Sequence, residues 1–131
     1  MQKLFDLGGR VALVTGSGKK RIGAAVADAL ARRGLCVAVH FNTSRTEADE
    51  TVASLRSLGS DAEAFQADLS DDGATRGLID AVIQRFGRID VLVNCAAIWE
   101  PKPLEQVTAD DVRRHFDLNT LGTFLCCQHA G

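Results

Sequence analysis

Residues 15–23 read TGSGKKRIG, and they follow directly on the apolar run RVALV at residues 10–14. A short, continuously apolar run is typical of a parallel β-strand that is covered on both faces. Glycines permit a tight turn that a ligand can approach closely, and the amides that open a helix favour anions. Three basic residues add positive charge at the same place. The stretch therefore predicts a buried strand, an anion-binding turn and a helix.

Strand-like and helix-like segments alternate along the rest of the chain. Apolar runs predict strands at residues 10–15, 35–41, 62–65 and 89–96. Apolar residues at helical spacing predict helices at residues 22–33, 44–58 and 71–86, and a capping-box spacing at 108–111 predicts a last helix that runs to the chain end. Such alternation with short links indicates an α/β fold: a doubly wound parallel sheet with right-handed crossovers.

Composition and charge exclude several classes of protein. The 131 residues are 46% hydrophobic and 24% charged, which is ordinary globular composition with room for a core. The net charge of −2 creates no positive field, so neither nucleic acid nor a membrane is an expected partner. No segment is long and apolar enough for a membrane span or a signal peptide. The four cysteines form no C-x-x-C pair, so we expect no metal site, free thiols and a cytoplasmic location.

Two other phosphate-binding motifs fail on spacing. A P-loop would have a glycine where Leu13 stands and a Ser or Thr where Lys20 stands. The G-x-G-x-x-G fingerprint would have its third glycine at Arg21, whereas Gly23 comes two residues later. On this stretch alone, a solvated basic turn whose glycines serve only chain reversal stays open.

Five stretches together resemble one family. TGSGKKRIG is similar to the T-G-x-x-x-G-x-G turn of the short-chain dehydrogenases/reductases, above all in the branch that has Arg in place of the middle glycine, as in pteridine reductases. The stretches VHFNTS (39–44), ADLSD (67–71), NCAA (94–97) and NTLGTF (119–124) resemble further motifs of the family in their order and spacing. The resemblance covers essentially the whole chain. It implies a Rossmann-like domain of an NADP(H)-dependent carbonyl, 3-oxoacyl-carrier-protein or pteridine reductase.

The resemblance also implies the site residues. The cofactor would be bound by Gly16, Ser17, Lys20, Arg21, Ile22 and Gly23 of the turn, by His40, Asn42, Thr43 and Ser44 after the second strand, by Asp68 and Leu69 after the third, and by Asn94, Cys95 and Ala96 after the fourth. Asp68 would accept a hydrogen bond from the adenine amino group, and its alternative role is a turn or helix cap. Asn119 belongs to the proton relay in the family. Because Asn is a poor helix former, we expect a kink or an ordered-water site there.

The end of the second strand indicates which nucleotide binds. A carboxylate there holds the ribose 2′-hydroxyl of NAD and repels a 2′-phosphate. Residues 40–46 contain no acid, and Asn42, Thr43 and Ser44 supply hydrogen-bond donors, so we expect NADP(H). The turn is one residue longer than the usual form of the family, so the choice among Lys19, Lys20 and Arg21 for the phosphate stays open. NCAA also lacks the second Asn and the final Gly of the family motif.

The sequence contains no tyrosine. The family transfers hydride with a Tyr acid/base, a Lys four residues later and a Ser, all of which come after the fifth helix. We therefore expect residues 1–131 to be the N-terminal part of a single dinucleotide-binding domain, incomplete and inactive alone, with the rest of the fold in a C-terminal segment. A fourth strand without a fifth neighbour would also leave a flat apolar edge. The resemblance further implies a small-molecule substrate and a homo-oligomer; the alternative is an inactive dinucleotide-binding or interaction module.

Overall fold

A computed structural model describes residues 6–131. Its four strands are β1 (Val11–Thr15), β2 (Cys36–Phe41), β3 (Ala62–Gln66) and β4 (Val91–Asn94). They pair in parallel in the order β3-β2-β1-β4. The chain therefore moves outward from β1 to β3 and then returns to the other side of β1 for β4. The expected parallel α/β sheet is confirmed.

The helices are α1 (Ile22–Ala31), α2 (Arg45–Ser57), α3 (Asp72–Phe86), α4 (Ala109–His115) and α5 (Thr123–Ala130), with a 3-10 turn at Leu104–Gln106. The Asp71 carboxylate accepts a hydrogen bond from the Ala74 amide at the start of α3, and Gly87 ends that helix at a φ of 80°. The predicted capping box between Thr108 and Asp111 is formed at α4. Within residues 6–131, no helix has both the length and the apolar character needed to cross a membrane.

Two apolar layers cover the two faces of the sheet. On one face, β1 and β2 contribute Ala12, Val14, Val37 and Val39, which pack against α1 and α2. On the other face, Val11, Leu13 and Ala38 pack against α3 and α5. Because β1 is buried on both faces, its sequence is continuously apolar rather than alternating.

The last helix differs from the single α-helix that the sequence predicts. Between α4 and α5 the backbone is π-helical over Phe116–Gly122, so one helical rod contains a widened stretch at Asn119. The Asn119 side chain donates from Nδ2 to the Ile98 carbonyl (3.0 Å) and accepts from the Ile98 amide at Oδ1 (2.9 Å). The expected irregularity at Asn119 is therefore present, and it coincides with a contact to the chain after β4.

β4 lies at one side of the sheet. In the part of the chain that the structure describes, β1 is its one strand neighbour, so the other edge of β4 is open. Phe116 and Phe124, on the last helix, are each 57% exposed, whereas Leu125 is buried. The domain thus has an open strand edge at β4 and two exposed aromatic rings on the last helix, features that are typical of surfaces covered by further protein.

The cysteines are all free thiols. Cys126 is buried in the layer between the sheet and α5. Burial, with a smaller contribution from Cys127, raises the pKa of the Cys126 thiol to about 11. Burial also raises the pKa of the Cys95 thiol. Both side chains are therefore protonated at neutral pH and act as small apolar groups.

Candidate functional site

A cavity of about 450 Å³ lies at the carboxyl ends of the strands. Its walls come from the β1–α1 turn and from the segments that follow β2, β3 and β4: Gly16, Gly18, Lys19, Arg21, Ile22, Gly23, His40, Phe41, Asn42, Thr43, Ser44, Ala67, Leu69, Cys95, Ala96, Ala97, Ile98 and Leu118. In an open α/β sheet, ligands bind where the strand order reverses, and here that point lies between β1 and β4. Among the described residues that line the cavity, two are cations and none is a carboxylate, so the cavity suits an anionic ligand.

The glycines of the turn are required by packing. Gly16 has a φ of 63°, and a Cβ there would lie 2.7 Å from the Ala96 Cα. A Cβ on Gly23 would overlap the Gly16 carbonyl oxygen. The start of α1 and the end of β4 thus pack directly against the turn on two sides. Chain reversal is therefore not the only role of these glycines, which removes the main argument for a merely solvated turn.

The start of α1 is open to an anion. Arg21 precedes the helix in extended conformation, and its side chain makes no capping hydrogen bond to the first helical amides. The first amides of a helix have no acceptor within the helix and lie at the positive end of its dipole. All three basic side chains are exposed; Lys19 and Arg21 line the cavity beside these amides, whereas Lys20, a predicted site residue, does not line it.

Thr15 joins the ends of β1 and β4. Its Oγ1 accepts hydrogen bonds from the amides of Cys95 and Ala96, both at 3.1 Å. The residue is only 1% exposed, so these contacts are sheltered from solvent. They fix the floor of the crevice between the two strands. Thr15 is not among the site residues that the sequence predicts, although it is the first residue of the T-G-x-x-x-G-x-G motif and could have been found from it.

His40 joins the ends of β2 and β3 to the turn. Its Nδ1 accepts from the Gly16 amide (3.0 Å), and its Nε2 lies 2.9 Å from the Ala67 carbonyl oxygen, to which it donates. The residue is 3% exposed, and burial lowers the pKa of the imidazole, while the hydrogen bond to Ala67 acts in the opposite direction. His40 lines the cavity as predicted, but both ring nitrogens are engaged by backbone groups.

The end of β2 presents donors and no acid. Asn42, Thr43 and Ser44 line the cavity, as predicted. The Gln66 side chain donates from Nε2 to both the carbonyl oxygen and Oδ1 of Asn42, at 3.1 and 3.2 Å. Because the Asn42 Oδ1 is the acceptor in this contact, its Nδ2 is left as a donor for another partner.

Comparison with known proteins shows the family to which the chain belongs. Residues 10–130 match the sequence profile described as short chain dehydrogenase. The chain belongs to the short-chain dehydrogenase family. It is 46% identical to an uncharacterized oxidoreductase of Methylorubrum extorquens over 127 residues, which are 97% of this chain and 51% of the relative. It is 40% identical to the hydroxynaphthalene reductase arp2 of Aspergillus fumigatus over 126 residues, which are 96% of this chain and 46% of the relative.

A solved structure shows the same likeness. A short chain dehydrogenase from Burkholderia cenocepacia, in complex with NADP, superposes with a TM-score of 0.91 at 38% identity. The match covers 96% of this chain and 51% of that one. The chain thus spans about half the length of the relatives that it matches.

Four predicted cofactor-binding residues lie outside the lining: Ser17, Lys20, Asp68 and Asn94. The Ser17 side chain is fully buried, and its Oγ donates to the Val14 carbonyl at 2.6 Å. Asp68 accepts at Oδ1 from the hydroxyl and the amide of Ser70, and these two hydrogen bonds lower the pKa of its carboxyl. The Asn94 amide lies against the Cys127 thiol. Ser17 and Asp68 thus have turn-stabilising contacts in this structure, whereas their neighbours Gly16 and Leu69 line the cavity.

Asn119 holds the wall of the cavity rather than lining it. Its two hydrogen bonds are both to Ile98, which lines the cavity together with Leu118. Its own carbonyl accepts from the Thr123 hydroxyl at 3.0 Å, within the widened part of the last helix. Gly122 lets this helix approach, because a Cβ there would lie 2.7 Å from the Leu69 carbonyl oxygen. Gly122 thus serves the close packing of this helix against the segment after β3.

The segment after β4 is fastened by Asp111, which the sequence argument used only as a helix cap. Its carboxylate accepts from the Lys102 ammonium at 2.7 Å and from the Thr108 amide at 2.9 Å. These contacts, led by Lys102, hold the pKa of the Asp111 carboxyl well below its usual range. Arg114 pairs with both Asp111 and Glu100. The chain between β4 and α4 is therefore tied to the start of α4 by charge.

Proposed function

We propose that this chain is the NADP(H)-binding part of a short-chain dehydrogenase/reductase that transfers hydride to a carbonyl or pterin-like substrate. The observation that carries the proposal is the cavity at the β1–β4 crevice, which combines an uncapped helix N-terminus and two cations with the absence of a lining carboxylate. The name of the Burkholderia cenocepacia structure, a complex with NADP, supports the choice of nucleotide.

The diphosphate of the cofactor fits the start of α1. Phosphates bind well to free amides at a helix N-terminus, and Lys19 and Arg21 add full charges beside those amides. Gly16 and Gly23 let the backbone lie close to the ligand. The amides of Gly16 and Ser17 are already engaged by His40, so the amides of Ile22 and Gly23 are the ones we assign to the phosphates.

The 2′-phosphate fits the end of β2. Asn42, Thr43 and Ser44 line the cavity there and offer donors, and Gln66 leaves the Asn42 Nδ2 free to donate. The first acid after the strand is Glu47, which lies within α2 and is exposed. A 2′-phosphate therefore meets donors at this place and no opposing carboxylate, which favours NADP(H) over NAD(H).

We assign the other parts of the cofactor to the cavity walls that the phosphates do not occupy. Ala67 and Leu69 line the side of the cavity next to the 2′-phosphate region, and we propose that the adenine lies there, with Asp68 as a further contact. Cys95, Ala96 and Ile98 line the opposite side, toward Asn119. Ile22 is 77% exposed although it is apolar. Because it lines the cavity, a cofactor bound there would cover it. We propose that Asn94 and Ser17 support this part of the site through backbone contacts: Asn94 pairs with Thr15 in the sheet, and the Ser17 amide donates to the His40 carbonyl.

Bound NADPH supplies a hydride, and reduction of a carbonyl also requires a proton at the substrate oxygen. The residues of this chain bind and orient the cofactor, and Asn119 is the residue that we assign to the proton relay. The sequence has no tyrosine to donate that proton. We propose that the Tyr, Lys and Ser of the family lie in the remainder of the full-length protein, since the relatives are about twice as long.

The same likeness suggests the setting of the enzyme. We propose a homo-oligomer, in accordance with the exposed Phe116 and Phe124 on the last helix, and a cytoplasmic location, in accordance with four free thiols. The relative named hydroxynaphthalene reductase supports a small-molecule substrate. We propose no nucleic-acid or membrane partner.

Titration calorimetry of the full-length protein with NADPH and with NADH tests the proposal. One charge-assisted phosphate contact is worth about 1.5–3 kcal/mol, so NADPH is expected to bind at least about tenfold more tightly than NADH. Equal affinities would refute the choice of nucleotide. Failure of both nucleotides to bind would refute the function as a whole.

A further inference from the structure

The ring of His40 connects three segments of the site. Nδ1 accepts from the Gly16 amide in the β1–α1 turn, and Nε2 donates to the Ala67 carbonyl after β3. The backbone carbonyl of His40 accepts from the Ser17 amide at 3.1 Å. His40 therefore determines where the turn lies relative to the ends of β2 and β3.

This arrangement is possible for only one form of the imidazole. A ring that accepts at Nδ1 and donates at Nε2 is neutral and carries its hydrogen on Nε2. A protonated ring donates at both nitrogens, so its Nδ1–H would point at the Gly16 N–H. Gly16 has little room to move away, because the Ala96 backbone lies against it. Protonation would therefore break the contact and displace the turn.

We propose that neutral His40 is a positioning residue, which holds the β1–α1 turn in the shape that binds the dinucleotide phosphates and releases it when the ring is protonated. The inference rests on the proposed function, since it concerns binding at the same site. Its direct consequence is that dinucleotide affinity falls as the pH decreases from neutral.

Several charged or titratable groups lie on the segments around His40. Lys19 and Arg21 line the same cavity, and the Arg45 guanidinium lies over the Phe41 ring at the start of α2. Asp68 follows Ala67, and Cys95 after β4 is a protonated thiol. Burial lowers the pKa of His40 below 6.5, so the ring is neutral at pH 7.5 and the effect belongs below pH 6.5. A bound phosphate would favour protonation, so tighter binding in acid would overturn the proposal.

Two substitutions separate the two hydrogen bonds of the ring. In His40→Asn, the side-chain oxygen reaches the position of Nδ1 and can accept from Gly16, but it does not titrate. In His40→Gln, the longer amide reaches the position of Nε2 and can donate to Ala67, but it leaves Gly16 without an acceptor. At pH 7.5 we expect His40→Asn to bind NADP⁺ within about threefold of the wild type and His40→Gln to bind about tenfold more weakly.

The decisive measurement is calorimetric affinity for NADP⁺ from pH 7.5 to pH 5.0, on the full-length wild type and on His40→Asn. The 2′-phosphate itself takes up a proton near pH 6, and His40→Asn measures that contribution because its side chain is neutral throughout. We expect the wild type to lose about fivefold more affinity than His40→Asn over this range. Parallel profiles, or equal affinities of the Asn and Gln variants at pH 7.5, would overturn the inference. Absence of NADP⁺ binding to the wild type at pH 7.5 would overturn the proposed function and this inference with it.

A measurement on the wild type does not depend on the folding of any variant. Long-range ¹⁵N–¹H correlation of the His40 ring should show the neutral form with its hydrogen on Nε2 at pH 7.5. The Gly16 amide resonance should then shift in acid with the same midpoint as the ring. A ring with its hydrogen on Nδ1, or a Gly16 amide that does not respond to the titration, contradicts the proposal.

Discussion

Replacing Thr15 by Val tests the contact that holds β1 and β4 together at the site. The change keeps the size and the β-branched shape of the side chain but removes the hydroxyl oxygen that accepts from the Cys95 and Ala96 amides. A sheltered amide that loses its acceptor costs about 1–3 kcal/mol. Since the two amides are only partly buried, about 1–2 kcal/mol each is appropriate. We expect Thr15→Val to lower the free energy of unfolding by about 2–4 kcal/mol.

Thr15→Ser is the matched control, because it keeps the oxygen and removes one methyl group. Loss of a buried methyl group costs about 1 kcal/mol. Urea titration of the full-length protein measures the stability of both variants, and calorimetry with NADPH measures their affinity. Thr15→Val should bind NADPH at least about fivefold more weakly, as about 1 kcal/mol of lost order at the crevice implies, and Thr15→Ser should bind like the wild type. The reasoning is refuted if Thr15→Val is as stable as Thr15→Ser and binds NADPH as tightly, since loss of the hydroxyl oxygen would then have no effect beyond that of a methyl group.

Three further changes test other parts of the site. Lys19→Gln should weaken NADPH binding about tenfold in calorimetry, whereas Lys20→Gln, at a position that does not line the cavity, should change it less than about twofold. Gly16→Ala should cost about 2–4 kcal/mol in urea unfolding, from the positive φ and the overlap with the β4 end, whereas Gly59→Ala, also at positive φ but in open space, should cost about 1 kcal/mol. The Asp111 carboxyl has a lowered pKa when folded, so its stabilising contribution is present above pH 3.8 and is lost as the pH falls through the lower folded value; Asp111→Asn should therefore show a flatter loss of stability in acid.

Much of the fold follows from local pattern. A continuous apolar run is enough to predict β1, because a strand covered on both faces has no polar side to alternate with. The capping box at Thr108 and Asp111 and the positive φ of Gly87 are local too, since each depends on residues within one turn of helix. For the same reason, the alternation of strands and helices predicts the parallel sheet without any knowledge of its contacts.

The direction of side chains in the turn could not be predicted from the sequence. Lys19 and Lys20 are chemically identical neighbours and both are exposed, and only the path of the turn against β4 decides that Lys19 borders the cavity and Lys20 does not. Ser17 shows the same limit, because its hydroxyl bonds back to Val14 instead of facing a ligand. In a turn, a rotation of one peptide reverses the side on which a residue lies, so spacing alone carries no information about it.

The sequence by itself determined the order of the elements, the glycine-rich and basic composition of the first turn and the absence of an acid at the end of β2. The tertiary structure decided which atoms meet across the sheet: Thr15 with the β4 end, His40 with Gly16 and Ala67, Gln66 with Asn42, and Asn119 with Ile98. Each of these pairs joins residues that are far apart in the chain. Propensity and capping act within a few residues, whereas these hydrogen bonds exist only once the parallel strands have placed their carboxyl ends side by side.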